Sequence, residues 1–304
     1  MIEDVLTQKI QEYAPSTAIE QEQVLQEIMQ HFVLSSLGRA GFFNEAAFHG
    51  GTFLRIVHHL NRFSEDLDFV LKKPADKFQW QRYLNRVVKD CTAEGIHFEM
   101  LDKSTTDSAV KKAFLKTDSI GKLLLIDLPY SRYPKQKLKI KLEIDIHPPE
   151  GSTFETHYLA FPVMTALTTQ DLPSAFASKT HALLCRTYTK GRDWYDFLWY
   201  VNRNIRPNLE LLTHAIDQVG PWAGQSIDTT PKWFMEQLCK TIRSIDWTTA
   251  KNDVQRFLPA REQESLKLWN SDFFLYHADK LKNCFSQTAV QATPVGNRPY
   301  LPSN

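Results

Sequence analysis

Residues 138–146 alternate apolar and charged side chains without a break, Leu-Lys-Ile-Lys-Leu-Glu-Ile-Asp-Ile. A helix would scatter those apolar residues around its circumference, whereas a strand sends them all to one side. The stretch therefore predicts a sheet strand with one covered face. Lys139, Lys141, Glu143 and Asp145 share the other face. That face is either a half-exposed strand with cross-strand ion pairs or the wall of a polar site. Helical patterns on both sides of this strand make the expected class α/β (α+β), a small mixed sheet flanked by helices.

A second strand pattern carries the acidic pair Asp66 and Asp68 inside an apolar frame of Phe63, Leu67, Phe69 and Val70. In a strand, residues two apart leave the same face about 6.6 to 6.8 Å apart along the chain. Two carboxylates held so close are costly as anions unless a cation compensates them, and hard oxygen ligands suit Mg²⁺ (or Mn²⁺). Just upstream, Gly50, Gly51 and Thr52 precede a run with helical apolar spacing, Phe53 to Val57. Glycines let amide groups turn toward an anion, and a helix N-terminus is a natural phosphate seat. The pairing suggests triphosphate on the Gly-Gly-Thr turn and metal on Asp66 and Asp68. Each half by itself is also found as an ordinary turn or a solvated strand edge.

Further along, Lys179, Leu183 and Arg186 fall at helical spacing, so the two cations lie near one face. A lysine there could neutralise triphosphate charge. Asp193 and Asp196 follow at i and i+3 on an expected new helix. A carboxylate in a first helical turn is also a normal capping feature.

Three blocks together, Gly50-Gly51-Thr52-Phe53-Leu54-Arg55 with Arg62-Phe63-Ser64-Glu65-Asp66-Leu67-Asp68-Phe69, Lys179-Thr180-His181-Ala182-Leu183-Leu184-Cys185-Arg186, and Gly191-Arg192-Asp193-Trp194-Tyr195-Asp196-Phe197, resemble the motifs of the AbiEii/AbiGii-type nucleotidyltransferase toxins. That family is a branch of the DNA polymerase beta nucleotidyltransferase superfamily. The resemblance runs from about residue 42 to residue 199. It implies a metal-dependent transfer of NMP from an NTP to an RNA acceptor such as tRNA, and a cognate antitoxin protein as partner. Asp66, Asp68 and Glu143 would hold the metal, the family's Lys-x-Glu strand pattern favouring Glu143 over Asp145. Gly50, Gly51, Thr52, Arg55 and Ser64 would contact the nucleotide. Lys179 and Asp193 would take part in catalysis with Asp66 and Asp68, with Asp196 as the competing position for Asp193. A protein or small-molecule hydroxyl as acceptor, or a silent nucleotide-binding scaffold, are the other readings.

The rest of the chain reads as support. Residues 1–40 are expected helical with a break at Pro15-Ser16-Thr17, residues 76–94 helical, 96–101, 122–128 and 154–163 strands, and 168–173 a connection. Helices are expected at 209–219, 231–242, 250–257 and 263–282, with Trp222, Trp233, Trp247 and Trp269 as packing residues. This divides the chain into residues 1–200 as the nucleotidyltransferase core, 201–286 as a helical region and 287–304 as a polar, loosely ordered tail.

Net charge is only +1, so no global attraction to nucleic acid exists, but residues 111–141 hold nine Lys or Arg against two Asp. That run is the place to look for an RNA phosphate track. No 18-residue apolar run occurs, the N-terminus lacks a basic region followed by an apolar core, and the four cysteines are far apart. A cytoplasmic protein, without membrane contact, zinc framework or disulfides, is expected.

Overall fold

The computed structural model describes residues 2–102, 119–127 and 138–286. Most of the basic run at 111–141 and the tail at 287–304 lie outside the described residues. Seven strands make one mixed sheet: β1 (Ala46–His49), β2 (Asp66–Leu71), β3 (His97–Asp102), β4 (Ser119–Asp127), β5 (Leu138–Asp145), β6 (Phe154–Leu159) and β7 (Thr165–Gln170). Their order is β3-β4-β5-β2-β1-β7-β6. β2 runs parallel to β5 and antiparallel to β1, which continues parallel to β7; the remaining pairs are antiparallel.

The alternation in β5 has the expected consequence. Ile140, Leu142 and Ile144 are fully buried, while Lys141 and Glu143 keep partial access on the other face. Two N-terminal helices, α1 (Ile2–Tyr13) and α2 (Ala18–Arg39), follow the anticipated break. Thr17 caps α2 by accepting a hydrogen bond from the Glu20 amide at 3.1 Å, satisfying one of the orphan donors of the first turn. α2 packs on β5, β7 and the helix α4 (Trp80–Ala93). Between them Phe42 meets Phe69 and Tyr83 edge to face at 4.9 and 5.1 Å.

α3 (Gly50–His58) leads from β1 toward β2. α5 (Leu172–Cys185) and α6 (Gly191–Asn202) carry the later motifs. The helical remainder comprises Leu209–Gln218, Pro231–Ser244, Trp247–Gln255, Ala260–Gln263 and Ser271–Ser286. Trp247 stacks on Phe274 at 4.0 Å, and Trp269 meets the same ring edge-on at 5.1 Å, so these indoles are packing residues. One continuous buried cluster includes side chains from Leu6 to Leu281.

Several boundaries differ from expectation: β6 ends at Leu159 rather than at 163, and α4 begins at Trp80 rather than at 76. β7 takes in residues 168–170 of the stretch 168–173 expected as a connection, because Thr-Ala-Leu-Thr-Thr-Gln has one large apolar residue, Leu167, and owes its strand to pairing with β6 and β1. α5 begins at Leu172, inside the stretch expected as a connection, where Asp171 caps the Ser174 amide at 2.9 Å and Pro173 occupies the first turn. The expected helix at 263–282 is interrupted, since Trp269 turns into the core, 2% exposed, and Asn270 then caps Phe273.

Candidate active site

The parallel register of β2 and β5 sets Asp66 beside Lys141 and Asp68 beside Glu143. Asp145 falls beside Val70, two pairs further on, and accepts a hydrogen bond from the His147 amide at 3.1 Å. Three carboxylates on two adjacent strands thus share one face. Burial raises the Asp68 carboxyl above the ordinary range, and the neighbouring Asp66 raises it further. Glu143 is raised in the same way, by burial and then by Asp68, although Lys141 is paired with it. An all-oxygen donor set whose anionic forms are held at a cost is what a hard divalent cation would relieve. The residues present therefore fit a metal of the Mg²⁺ class.

The turn into α3 packs directly on this row. Gly50 has φ +82°, and a Cβ there would lie 2.3 Å from Asp68 Oδ2. At Gly51 a Cβ would lie 2.5 Å from the Arg62 guanidinium and 3.0 Å from Ser64 Oγ. The two glycines thus let the helix start sit against Asp68 on one side and against Arg62 and Ser64 on the other. From behind, Gln30 of α2 donates to the carbonyls of Ser64 and Glu65, both at 3.0 Å, and holds the loop that feeds β2.

A second charged group gathers around α5, α6 and the turn between them. Lys179 Nζ lies 2.7 Å from Asp193 Oδ1 and 2.8 Å from Asp196 Oδ2. Arg186 pairs with the other oxygen of Asp193. Arg62 binds Asp196 in a two-point fork, both contacts at 2.6 Å. Burial alone would raise Asp193 and lower Lys179, but the ion pairs outweigh it. Asp193 is held well below the usual carboxylate range by Lys179, Arg186 and Lys190, and Lys179 is raised by its two aspartates. Lys190, on the loop before α6, is lowered by burial.

Both groups line one cavity of about 500 Å³. Gly50, Gly51, Ser64, Asp66, Asp68, Glu143, Lys179 and Asp193 all line it, as do Arg62, Lys141, Arg186 and Lys190. The model of the family described as nucleotidyl transferase AbiEii toxin, type IV TA system, matches residues 33–275. The chain belongs to that family. Among solved structures it is similar to a proposed nucleotidyltransferase from H. pylori, at 17% identity and TM-score 0.50 over 87% of this chain and 96% of that one. JHP933 from Helicobacter pylori gives the same identity and score over 87% and 94%. At that identity the likeness speaks for the fold alone. No curated protein matches the chain.

In this AbiEii-family nucleotidyltransferase all but two of the residues anticipated for the site line the cavity. Thr52 is fully buried and donates its hydroxyl to the Asp66 carbonyl. Arg55 points away: its Nε binds Glu27 at 2.8 Å, another nitrogen binds the Leu60 carbonyl at 2.8 Å, and the guanidinium lies 4.4 Å over the Phe63 ring. On a nine-residue helix whose first turn faces the cavity, a residue one and a half turns later has rotated to the packed side. Neither side chain lines the cavity. Three contributors escaped the sequence reading. Arg62 opens the second half of the first motif block and Lys190 directly precedes Gly-Arg-Asp, where they could have been noticed. Nothing in the sequence marks Gln30, whose role depends on where α2 crosses the loop.

Proposed function

We propose that this AbiEii-family chain is a metal-dependent toxin that transfers NMP from an NTP to an RNA hydroxyl, with tRNA as the leading acceptor. The observation that carries the reading is one cavity lined both by the row Asp66, Asp68 and Glu143 and by Lys179, Arg186 and Lys190. A triphosphate needs cations on one side and metal-bearing carboxylates on the other, and phosphoryl transfer is dominated by such positioning and electrostatics. Asp66, Asp68 and Glu143 would hold Mg²⁺ or Mn²⁺, which when bound supplies charge neutralisation at the phosphates and a more acidic acceptor hydroxyl.

The chain's own groups do the rest. Gly50 and Gly51 keep the start of α3 against the acids, so its amides and Ser64 can meet phosphate oxygens. Lys179 carries three donors and spends two on Asp193 and Asp196; the third is free in direction for a phosphate oxygen. Asp193, engaged on both oxygens and held anionic by its cations, is a positioning residue for Lys179 and Arg186. An RNA acceptor is supported by the family and by the basic run at 111–141. A toxin of this family also implies an antitoxin as its partner.

The test is incubation of the purified protein with total RNA, each α-³²P-labelled NTP and Mg²⁺, beside Asp68→Asn. Label on tRNA-sized RNA that falls at least about a hundredfold in the variant supports the reading. Pyrophosphate release without labelled RNA would move the acceptor to a protein or small-molecule hydroxyl.

A further inference from the structure

A second group of ligating side chains lies outside the nucleotide cavity. His58 is the last residue of α3, and Glu155 and His157 stand two apart on the edge strand β6, so both leave one face of it. One ligand atom from each of the three lies within 4.8 Å of the others. His157 Nε2 and Glu155 Oε1 are 2.8 Å apart. The two imidazole rings meet nearly at right angles, 5.3 Å between centroids, with Phe53 and Trp199 packed against His58. His58 Nε2 is buried and has no hydrogen-bond partner among the described residues. A buried ring nitrogen without a partner calls for an explanation, and a bound ion is one of the few available.

The donor set decides the class of ion. Two imidazoles and a carboxylate suit Zn²⁺ and its first-row neighbours and are poor ligands for Mg²⁺. Side-chain exposures of 29% for His157 and 41% for Glu155 leave an entry path and room for a water as fourth ligand. Arg203, the nearby cation, is drawn aside over the Trp199 ring at 4.0 Å. None of the three residues lines the nucleotide cavity.

We propose that His58, Glu155 and His157 form a site for a transition cation of the Zn²⁺ class, separate from the carboxylate site. Binding replaces the His157–Glu155 hydrogen bond by metal bonds to His157 Nε2 and a Glu155 oxygen, and gives His58 Nε2 its partner. The ion clamps β6 to the end of α3, the helix whose other end carries Gly50 and Gly51.

Co²⁺ is the probe, because four-coordinate nitrogen-containing sites give it a strong visible band that oxygen-only octahedral sites do not. Full-length protein stripped with EDTA and desalted is titrated with Co²⁺, then with Zn²⁺. The expected result is a band saturating at one equivalent, bleached by Zn²⁺, present in Asp68→Asn and absent in His157→Ala. Saturating Zn²⁺ should raise the melting temperature of the wild type by several degrees and leave that of His157→Ala unmoved. His157 is partly exposed, so its variant tests the site without opening the core; His58→Gln is the second variant. No band in the wild type, a band and a thermal shift that survive His157→Ala, or a band lost in Asp68→Asn would each overturn the proposal. Nucleotide transfer plays no part in these readouts, so failure here leaves the proposed function standing.

Discussion

Asp68 and Asp193 line the same cavity, yet their surroundings give opposite dependence on pH. Asp68 is raised by burial and by Asp66, so the folded state binds its proton more tightly than the unfolded chain does. The stability it contributes is present at low pH and lost as pH rises through that raised value. Asp68→Asn should therefore melt at about the same temperature as the wild type near pH 4 in EDTA, and a few degrees higher at pH 7.5, while transfer is lost. Asp193 is lowered by Lys179 and Arg186 once their attraction overcomes burial. Its contribution is present above the ordinary carboxylate range and lost as pH falls below it. Asp193→Asn should cost about 3–5 kcal/mol at neutral pH, because it strips a buried pair of one partner, and the cost should shrink in acid; thermal melts across pH 3.5–8 check both signs. These roles were half legible. An Asp-x-Asp on a strand announces a shared face, whereas the spacing of Asp193 and Asp196 fits capping and ion pairing equally well until Lys179, Arg186 and Arg62 are placed around them.

At the level of elements, the site depends on how closely the first turn of α3 can approach β2. Gly50→Ala would put a methyl 2.3 Å from Asp68 Oδ2 at a φ of +82°. The backbone strain alone is about 1–2 kcal/mol, and relief of the clash must move Asp68. The expected outcome is a modest fall in melting temperature with a loss of transfer of about tenfold or more, read as kcat against stability on one preparation. The link between the β2 loop and α6 is a buried fork, Arg62 to Asp196, with Arg62 only 1% exposed. Arg62→Met should destabilise by about 3–5 kcal/mol, since it takes both fork contacts from the buried Asp196 and leaves it Lys179 as its cation; a denaturant titration of the variant measures it. Periodicity made β5 and most helices readable because their faces are set by local pattern. β7 was not readable, since its Thr-rich segment is held by neighbours distant in sequence.

Across the whole molecule, the helical region is fastened to the site rather than merely following it. The Phe63 amide, three residues before Asp66, donates to the Phe257 carbonyl at 2.8 Å, and Arg192 of α6 reaches Glu65 at 3.2 Å while lying over the Phe257 ring. With a buried cluster that takes in side chains from Leu6 to Leu281, one cooperative unfolding transition is expected. Phe274→Ala, which removes the ring between Trp247 and Trp269, should lower that transition by about 3–5 kcal/mol without splitting it; coincidence of far-ultraviolet dichroism and tryptophan fluorescence is the check. Sequence by itself determined the strands that bear Asp66, Asp68 and Glu143, the glycine turn, the lysine helix and the family they resemble, because strand alternation, glycine pairs and helical spacing are local properties of the chain. Only the tertiary structure decided that Glu143 stands beside Asp68, that Arg55 and Thr52 turn inward to pack, that Asp193 is locked by two cations, and that His58 meets Glu155 and His157. Strand register, helix rotation and burial set those facts, and each depends on contacts between residues far apart in the chain.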